Sequence, residues 1–185
     1  MKLFKNTGRL SFPVPFFLCI MLLNSCAPRY QEFLTPGFDL KEWKLENVVE
    51  GKDQSMYEYV HPGENIDNWT ELLTWQVLRK PADPEPIDAM VARVHAEDTK
   101  SCPDGFAQNI IALGSPTETE EASILYEWWF KNCPQQTDQH EIAKIIYGKF
   151  SIFRIAYVAK IQSLPQEKKE KWIKELSEAK IIIRK

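Results

Sequence analysis

The sequence predicts an α+β domain, in which a mainly antiparallel sheet of about five to six strands is covered by two amphipathic helices. Short segments in which apolar and polar residues alternate are separated by turn residues, as in strands joined by hairpins. Two other segments repeat apolar residues every three or four positions, as the buried face of a helix does. Apolar residues make up 44% of the chain and include six Trp and ten Phe, which is enough for a packed core.

The strand segments occur as neighbouring pairs. Residues 56–61 and 69–78 flank a Pro-Gly-Glu-Asn turn, and we expect them to form a hairpin. Residues 106–113 and 122–130 flank a Gly-Ser-Pro turn and predict a second hairpin. Hairpin-joined strands are antiparallel, which sets the expected type of sheet.

Two further segments lie on either side of Gly148. Residues 151–160 alternate cleanly and predict a strand. Residues 140–147 fit either a helix or a strand, and the adjacent glycine turn favours a strand.

The helix predictions lie at the two other periodic segments. Apolar residues at positions i, i+3, i+4 and i+7 predict a helix over residues 87–98. Near the C-terminus, Ser163 and Gln166 fit a capping box, with Ser163 as the N-cap. The apolar stripe after it extends this helix to about Lys180 and consists of Trp172, Ile173, Leu176 and Ala179.

The first 25 residues have the pattern of a targeting signal. Three cations without any acidic residue precede an apolar run over residues 12–23. Twelve helical residues span about 18 Å, which is short of the roughly 30 Å hydrocarbon core of a bilayer. A short apolar run after a basic segment is typical of a cleaved signal peptide.

The sequence Leu-Asn-Ser-Cys at residues 23–26 resembles the lipobox of bacterial lipoproteins. The resemblance implies cleavage before Cys26 and attachment of acyl chains to that residue, two or more of which anchor a protein stably. It also implies a location on the outer membrane, facing the periplasm, because Ala27 replaces the Asp that retains lipoproteins in the inner membrane. An ordinary secretory signal with an incidental cysteine, or an uncleaved anchor, is the alternative. The expected organisation is a signal over residues 1–25, an anchor and tether over 26–37, and one domain over 38–185.

Cleavage would leave Cys102 and Cys133 as the cysteines of the domain, because Cys19 departs with the signal. In an oxidising compartment we expect these two to form a disulfide that closes a loop of about 32 residues. The alternative is a nucleophilic Cys133 assisted by His140. Neither cysteine lies in a CxxC redox motif, so the disulfide is the interpretation adopted here.

The predicted order β-β-α-β-β-β-β-α, with a Trp-Thr-Glu-Leu string at residues 69–72, resembles the Mog1/PsbP-like fold over residues 38–180. That resemblance implies a non-enzymatic binding or assembly protein and transfers no site residue. The segment over residues 126–149 is also similar to uncharacterised proteobacterial lipoproteins, which implies no activity.

Motifs for several chemistries are missing from the sequence. Its three histidines are widely spaced, so no pattern predicts a metal site, and no cofactor is expected without a P-loop or a GxGxxG motif. The formal net charge of −3 argues against nucleic acid as a partner, because phosphate neutralisation needs basic surfaces.

Trp129 is the residue with a functional interpretation. It falls on the strand face opposite Trp128, beside Leu125, where either the core or a helix covers it or it forms, with His140, an exposed patch for an envelope protein partner. The expected function is therefore a non-enzymatic binding or assembly lipoprotein, held on the membrane by its lipid. Two alternatives stay open: an envelope hydrolase with a cleft around Asp138 and His140, and a carrier of a small apolar ligand between helix and sheet.

Overall fold

The computed structural model describes residues 31–134 and 137–184. These residues form nine strands and two helices. The elements are β1 (Gln31–Thr35), β2 (Lys44–Glu50), β3 (Gln54–Val60), β4 (Glu71–Arg79), α1 (Ile87–Ser101), β5 (Phe106–Gly114), β6 (Ala122–Phe130), β7 (Gln139–Tyr147), β8 (Ser151–Ala159), α2 (Gln166–Ser177) and β9 (Lys180–Arg184).

Seven of the strands form one antiparallel sheet in the order β2-β3-β4-β8-β7-β6-β5, and β1 pairs with β9 in a separate two-stranded sheet. The α+β class with a mostly antiparallel sheet is confirmed, as are the hairpins β3–β4 and β5–β6. The segments on either side of Gly148 are both strands, β7 and β8, and they form a third hairpin. The expected count of five to six strands is wrong. The three strands that the prediction omits are β1, β2 and β9, which are short or only partly buried, so that their burial does not impose a clear alternation.

One face of the large sheet packs against α2. Tyr157 of β8 stacks on Trp172 of α2 with ring centroids 4.3 Å apart, and Leu176 and Ile142 are fully buried beside them. Close-packed large side chains of this kind hold a helix on a sheet.

The other face of the sheet packs against α1, which contributes Ile87 and Val91 as its buried residues. Sheet residues such as Ile124, Ala156 and Val158 complete this second core. Each helix has two buried residues, but the pair from α1 is smaller than the pair Trp172 and Leu176 of α2.

The start and end of α2 differ from the prediction. Pro165 is the N-cap, no side chain caps the helix, and Ser163 therefore does not form the predicted capping box. The helix ends at Ser177, where the ammonium group of Lys144 donates to the carbonyl oxygens of Ser177 and Ala179 at 2.9 and 2.6 Å. A cation suits the negative end of the helix dipole, although burial lowers the pKa of Lys144.

The tether prediction needs correction over residues 31–35. This segment is strand β1, which is paired along its length with β9, and Leu34 is buried in the core under α2. Its Pro-Gly pair, at residues 36–37, marks the turn that follows the strand and not an extended spacer. The folded domain therefore includes Gln31, seven residues before the expected start at Phe38.

Candidate functional site

The two edges of the large sheet differ in chemistry. Strand β2 carries Lys44, Glu46 and Glu50, whereas the nine residues of β5 (FAQNIIALG) include no charged side chain. Among the described strands, β5 pairs only with β6, so one side of its backbone has no strand partner. An uncharged edge strand is open to pairing with another extended chain.

A groove runs between this edge and α1. It has a volume of about 400 Å³, and its lining is mainly apolar. Ile110 and Leu113 of β5 line it while remaining 45% and 67% exposed. The remaining lining residues come from α1 and β6 and from one position of β5: Asp88, Val91, Ala92, His95, Gln108 and Ile124.

A bulge divides β5 into two parts. The pairing with β6 shifts between Ile110 and Ala112, which leaves Ile111 without an opposing residue. Bulges interrupt a ladder and strengthen the local twist, so a strand added to this edge would pair continuously with only about five residues on the N-terminal side of the bulge.

The predicted disulfide is present between Cys102 and Cys133, with their Cα atoms 5.5 Å apart. Cys102 is the C-cap of α1, and Cys133 lies just after β6, so the bond fastens one end of α1 to the sheet that forms the groove floor. Gly105 closes the turn beside it: a Cβ atom there would lie 2.0 Å from the carbonyl oxygen of Lys131. The bonded cysteines cannot provide the nucleophile considered above.

The patch predicted from Trp129, Leu125 and His140 does not form as an exposed surface. Leu125 and His140 are only 4% and 5% exposed, because α2 and the loop before it cover this face of β6 and β7. Trp129 is half-buried, and its ring lies 5.4 Å from that of His140. Trp129 and His140 line a small polar pocket of about 270 Å³, whereas Leu125 belongs to the core.

A closed network of polar groups forms the floor of that pocket. The Glu127 carboxylate accepts hydrogen bonds from Asn109 at 3.2 Å and from Lys169 at 2.7 Å, and it lies 3.4 Å from Nε2 of His140. Burial alone would raise the pKa of Glu127, but Lys169 and Asn109 lower it, so the carboxylate is held charged.

Both ring nitrogens of His140 have partners. The backbone N–H of Leu164 donates to Nδ1 at 3.0 Å, which requires that nitrogen to be unprotonated. Burial lowers the pKa of His140 and outweighs the opposing effect of Glu127, so the ring is neutral. Asp138 instead accepts hydrogen bonds from Gln162 and from the backbone of Asn132, which are contacts at the outer rim. Each ring nitrogen of His140 therefore has a hydrogen-bond partner within the protein, and neither is free to exchange protons with a substrate.

The described part of the chain contains no helix long and apolar enough to cross a membrane. Within residues 31–134 and 137–184, no group of three or more metal-ligating side chains comes together. Cys26, the predicted lipidation site, lies outside the described residues.

The groove residues Ile110, Leu113 and His95 were not singled out from the sequence. The lack of charge over residues 106–114 is the signal that could have pointed to them. That signal has meaning only once β5 is known to be an edge, and strand order is a tertiary property.

No protein family model matches the chain, and no curated protein matches its sequence. Among solved structures, the chain is similar to PA94 from Pseudomonas aeruginosa, a protein of unknown function described as a candidate regulator. The two share 13% sequence identity at a TM-score of 0.40, and the alignment covers 72% of this chain and 92% of that chain. A likeness at this level carries no argument about function.

Proposed function

We propose that this protein is a lipid-anchored, extracytoplasmic binding protein that captures an extended apolar segment of another envelope protein by adding it as a strand to β5. The lipid anchor rests on the lipobox at residues 23–26 and the binding mode on the exposed edge of β5. In this proposal the protein acts by assembly and not by catalysis.

The proposal rests on one observation: an uncharged sheet edge lies directly beside an apolar groove. In strand addition, backbone hydrogen bonds supply affinity and alternate side chains enter pockets that supply specificity. The edge of β5 offers the backbone groups, and the groove beside Ile110 and Leu113 offers the pocket. A partner segment of about five residues before the bulge, with apolar residues at alternate positions, fits both features.

The same groove also favours a second candidate function, the carriage of a small apolar ligand. Its volume of about 400 Å³ lies within the range of small-molecule sites. The two candidates differ in whether the backbone of β5 becomes hydrogen-bonded on binding, because a small apolar ligand leaves the amides of the edge unpaired.

The hydrolase alternative finds less support. His140 meets a remote carboxylate, Glu127, but both of its nitrogens are engaged, and Asp138 is bonded elsewhere. We therefore favour the assembly function.

A photo-crosslinking experiment tests the proposed function. A benzophenone amino acid is placed at Ile110 of the lipidated protein in its own membranes, and the cross-linked segment is identified by mass spectrometry. Val49 is the matched control, because it is an apolar residue of the other edge, on the same sheet face and 42% exposed against 45% for Ile110. We expect a discrete partner segment from Ile110 and none from Val49.

A peptide with the sequence of that segment is then titrated against two variants. Ile110→Lys should weaken binding at least tenfold, because it places a charge at the groove, and Val49→Lys should leave binding unchanged. Hydrogen exchange at the amides of residues 106–110 should slow when the peptide binds. Unchanged exchange at these amides would favour the ligand carrier, and equal binding by both variants would refute strand addition. Mass spectrometry of the mature N-terminus tests the anchor separately, at Cys26.

A further inference from the structure

One end of the domain brings together the start of β1 and the turn between β7 and β8. Only residues 27–30 separate Cys26 from Gln31, the first residue of β1, so the backbone from Cys26 to Gln31 reaches at most about 17 Å. If acyl chains on Cys26 lie in a bilayer, this end of the domain must lie against its surface.

The turn at this end is fixed to β1 by one carboxylate. Glu32 of β1 accepts hydrogen bonds from the backbone N–H groups of Lys149, Phe150 and Ser151 at 2.6, 3.1 and 2.9 Å. Gly148 permits this approach, since a Cβ atom there would lie 2.6 Å from the Glu32 carboxylate. The strand nearest the anchor and the turn are therefore one rigid unit.

A second set of contacts holds the turn from the side of β4. Nζ of Lys80 donates to the carbonyl oxygen of Gly148 at 2.9 Å, and the backbone N–H of Lys80 donates to the carbonyl oxygen of Phe150 at 3.0 Å. Because its backbone is held on both sides, the turn presents Phe150 outward, 58% exposed. An exposed aromatic ring on a rigid turn can be buried on contact without the entropic cost of ordering a loop.

Aromatic and cationic side chains lie together around Phe150, and both types are common at membrane interfaces. Lys149 is adjacent, and Arg184 of β9 lies over the ring of Phe33, which is 38% exposed. Among the described residues, neither Lys149 nor Arg184 forms an ion pair, so both are available to lipid phosphates. The same end also carries the exposed acids Asp83 and Glu118, so the expected contact is mainly aromatic and does not require anionic lipid.

We propose that the end of the domain formed by Phe150, Lys149, Phe33 and Arg184 rests on the phospholipid bilayer, with the ring of Phe150 inserted among the headgroups. The inference rests on the lipid anchor of the proposed function. It gives the domain a defined orientation on the membrane, so that Cys26 is not merely the end of a free tether.

Lysine footprinting tests this surface with the natural residues. Protein from Cys26 onward is coupled through the Cys26 thiol to a maleimide phospholipid in phosphatidylcholine vesicles; Cys102 and Cys133 are unreactive as a disulfide. A short pulse of acetylating reagent then labels exposed lysines. We expect the acetylation rate of Lys149 to fall at least threefold relative to uncoupled protein. Lys160, which follows β8 about 30 Å away along the strand, should be unaffected.

A matched pair of variants tests the aromatic contact. In the lipid-coupled protein, Phe150→Ser should abolish most of the protection of Lys149 from acetylation, because the ring no longer holds this end among the headgroups. Ile161→Ser removes another exposed apolar residue, 38% exposed, just beyond the opposite end of β8, and should leave the protection of Lys149 unchanged.

Two results would overturn the proposal in different ways. Equal acetylation of Lys149 with and without the vesicle would refute this surface and leave the anchor and the binding at β5 intact. An unmodified Cys26 in the native protein would refute the anchor and this surface together, because nothing would then hold this end against a bilayer.

Discussion

The two edge strands of the seven-stranded sheet, β2 and β5, differ in how they are protected against pairing with another chain. Both expose an apolar side chain on the same sheet face, Val49 and Ile110, to nearly the same extent. Strand β2 also carries Lys44, Glu46 and Glu50, and charges on an edge strand disfavour pairing with another chain. Strand β5 has no charge, and only its bulge limits the length of chain that could pair with it.

The difference between the two edges indicates where a binding surface lies when the sequence contains no binding motif. An edge strand without charges is an aggregation hazard unless something covers it. On β5 that hazard coincides with an apolar groove and with a helix that is fastened by a disulfide. On β2 neither the groove nor the fastening is present within the described residues. Charge therefore protects β2, and in the proposed function β5 stays open for a partner.

The largest expected effect comes from removing the disulfide. The double variant Cys102→Ser and Cys133→Ser should lose about 3.5–4 kcal/mol of unfolding free energy, the chain-entropy value for a loop of about 30 residues. Urea unfolding measures the loss. Hydrogen exchange should accelerate in α1 and β5 and stay unchanged in β2. Equal acceleration at both edges would show that the disulfide does not act on the groove in particular.

Removing the charges of β2 tests whether charge is what distinguishes this edge from β5. The triple variant Lys44→Thr, Glu46→Thr and Glu50→Thr leaves β2 without charge, and we expect it to self-associate at least tenfold more tightly than the wild type in sedimentation velocity.

The control for this variant makes the same change of net charge on the exposed face of α2: Lys171→Gln, Glu167→Gln and Glu170→Gln. This control should behave as the wild type, because α2 offers no backbone edge for pairing. A triple β2 variant that remains as monomeric as the wild type would mean that the charges do not protect this edge.

The smallest expected effect concerns pH. On both edges an Asn donates to a Glu of the neighbouring strand, Asn47 to Glu58 and Asn109 to Glu127, but only Glu127 is joined to a buried neutral histidine. Because the folded-state pKa of His140 lies below its unfolded value of about 6.5, the unfolded chain binds more protons as the pH falls. The contribution of His140 to the free energy of unfolding is therefore fully present above about pH 6.5 and is lost progressively below it.

The urea midpoint at pH 7.5 and at pH 5.5 measures this decrease. Below about pH 6.5 the free energy of unfolding decreases by about 1.4 kcal/mol for each pH unit, as long as the pH stays above the folded-state pKa of His140. His140→Gln should remove the decrease, and His95→Gln, outside the network, should retain it. A wild-type midpoint that does not change between these pH values would contradict the neutral state of His140.

Much of the local structure could be predicted because it depends on neighbours in the chain. The hairpin between residues 106–114 and 122–130 follows from alternation and a Gly-Ser-Pro turn, and the helix from Ile87 follows from its apolar period. The Cys102–Cys133 disulfide follows from counting cysteines. The capping box at Ser163 failed because the N-cap is Pro165, so Ser163 lies two residues too early to cap the helix.

The sequence by itself determined which side chains share a face, because residues two apart in a strand point the same way whatever the strand packs against. Trp129 therefore lies with Leu125 and opposite Trp128, as its position dictates. Only the tertiary structure decided which face α2 covers and which strands stand at the edges. Those properties depend on β8 inserting between β4 and β7, a pairing of residues distant in the chain that local patterns do not encode. For that reason the expected patch at Trp129 is covered, and β5 became the open edge.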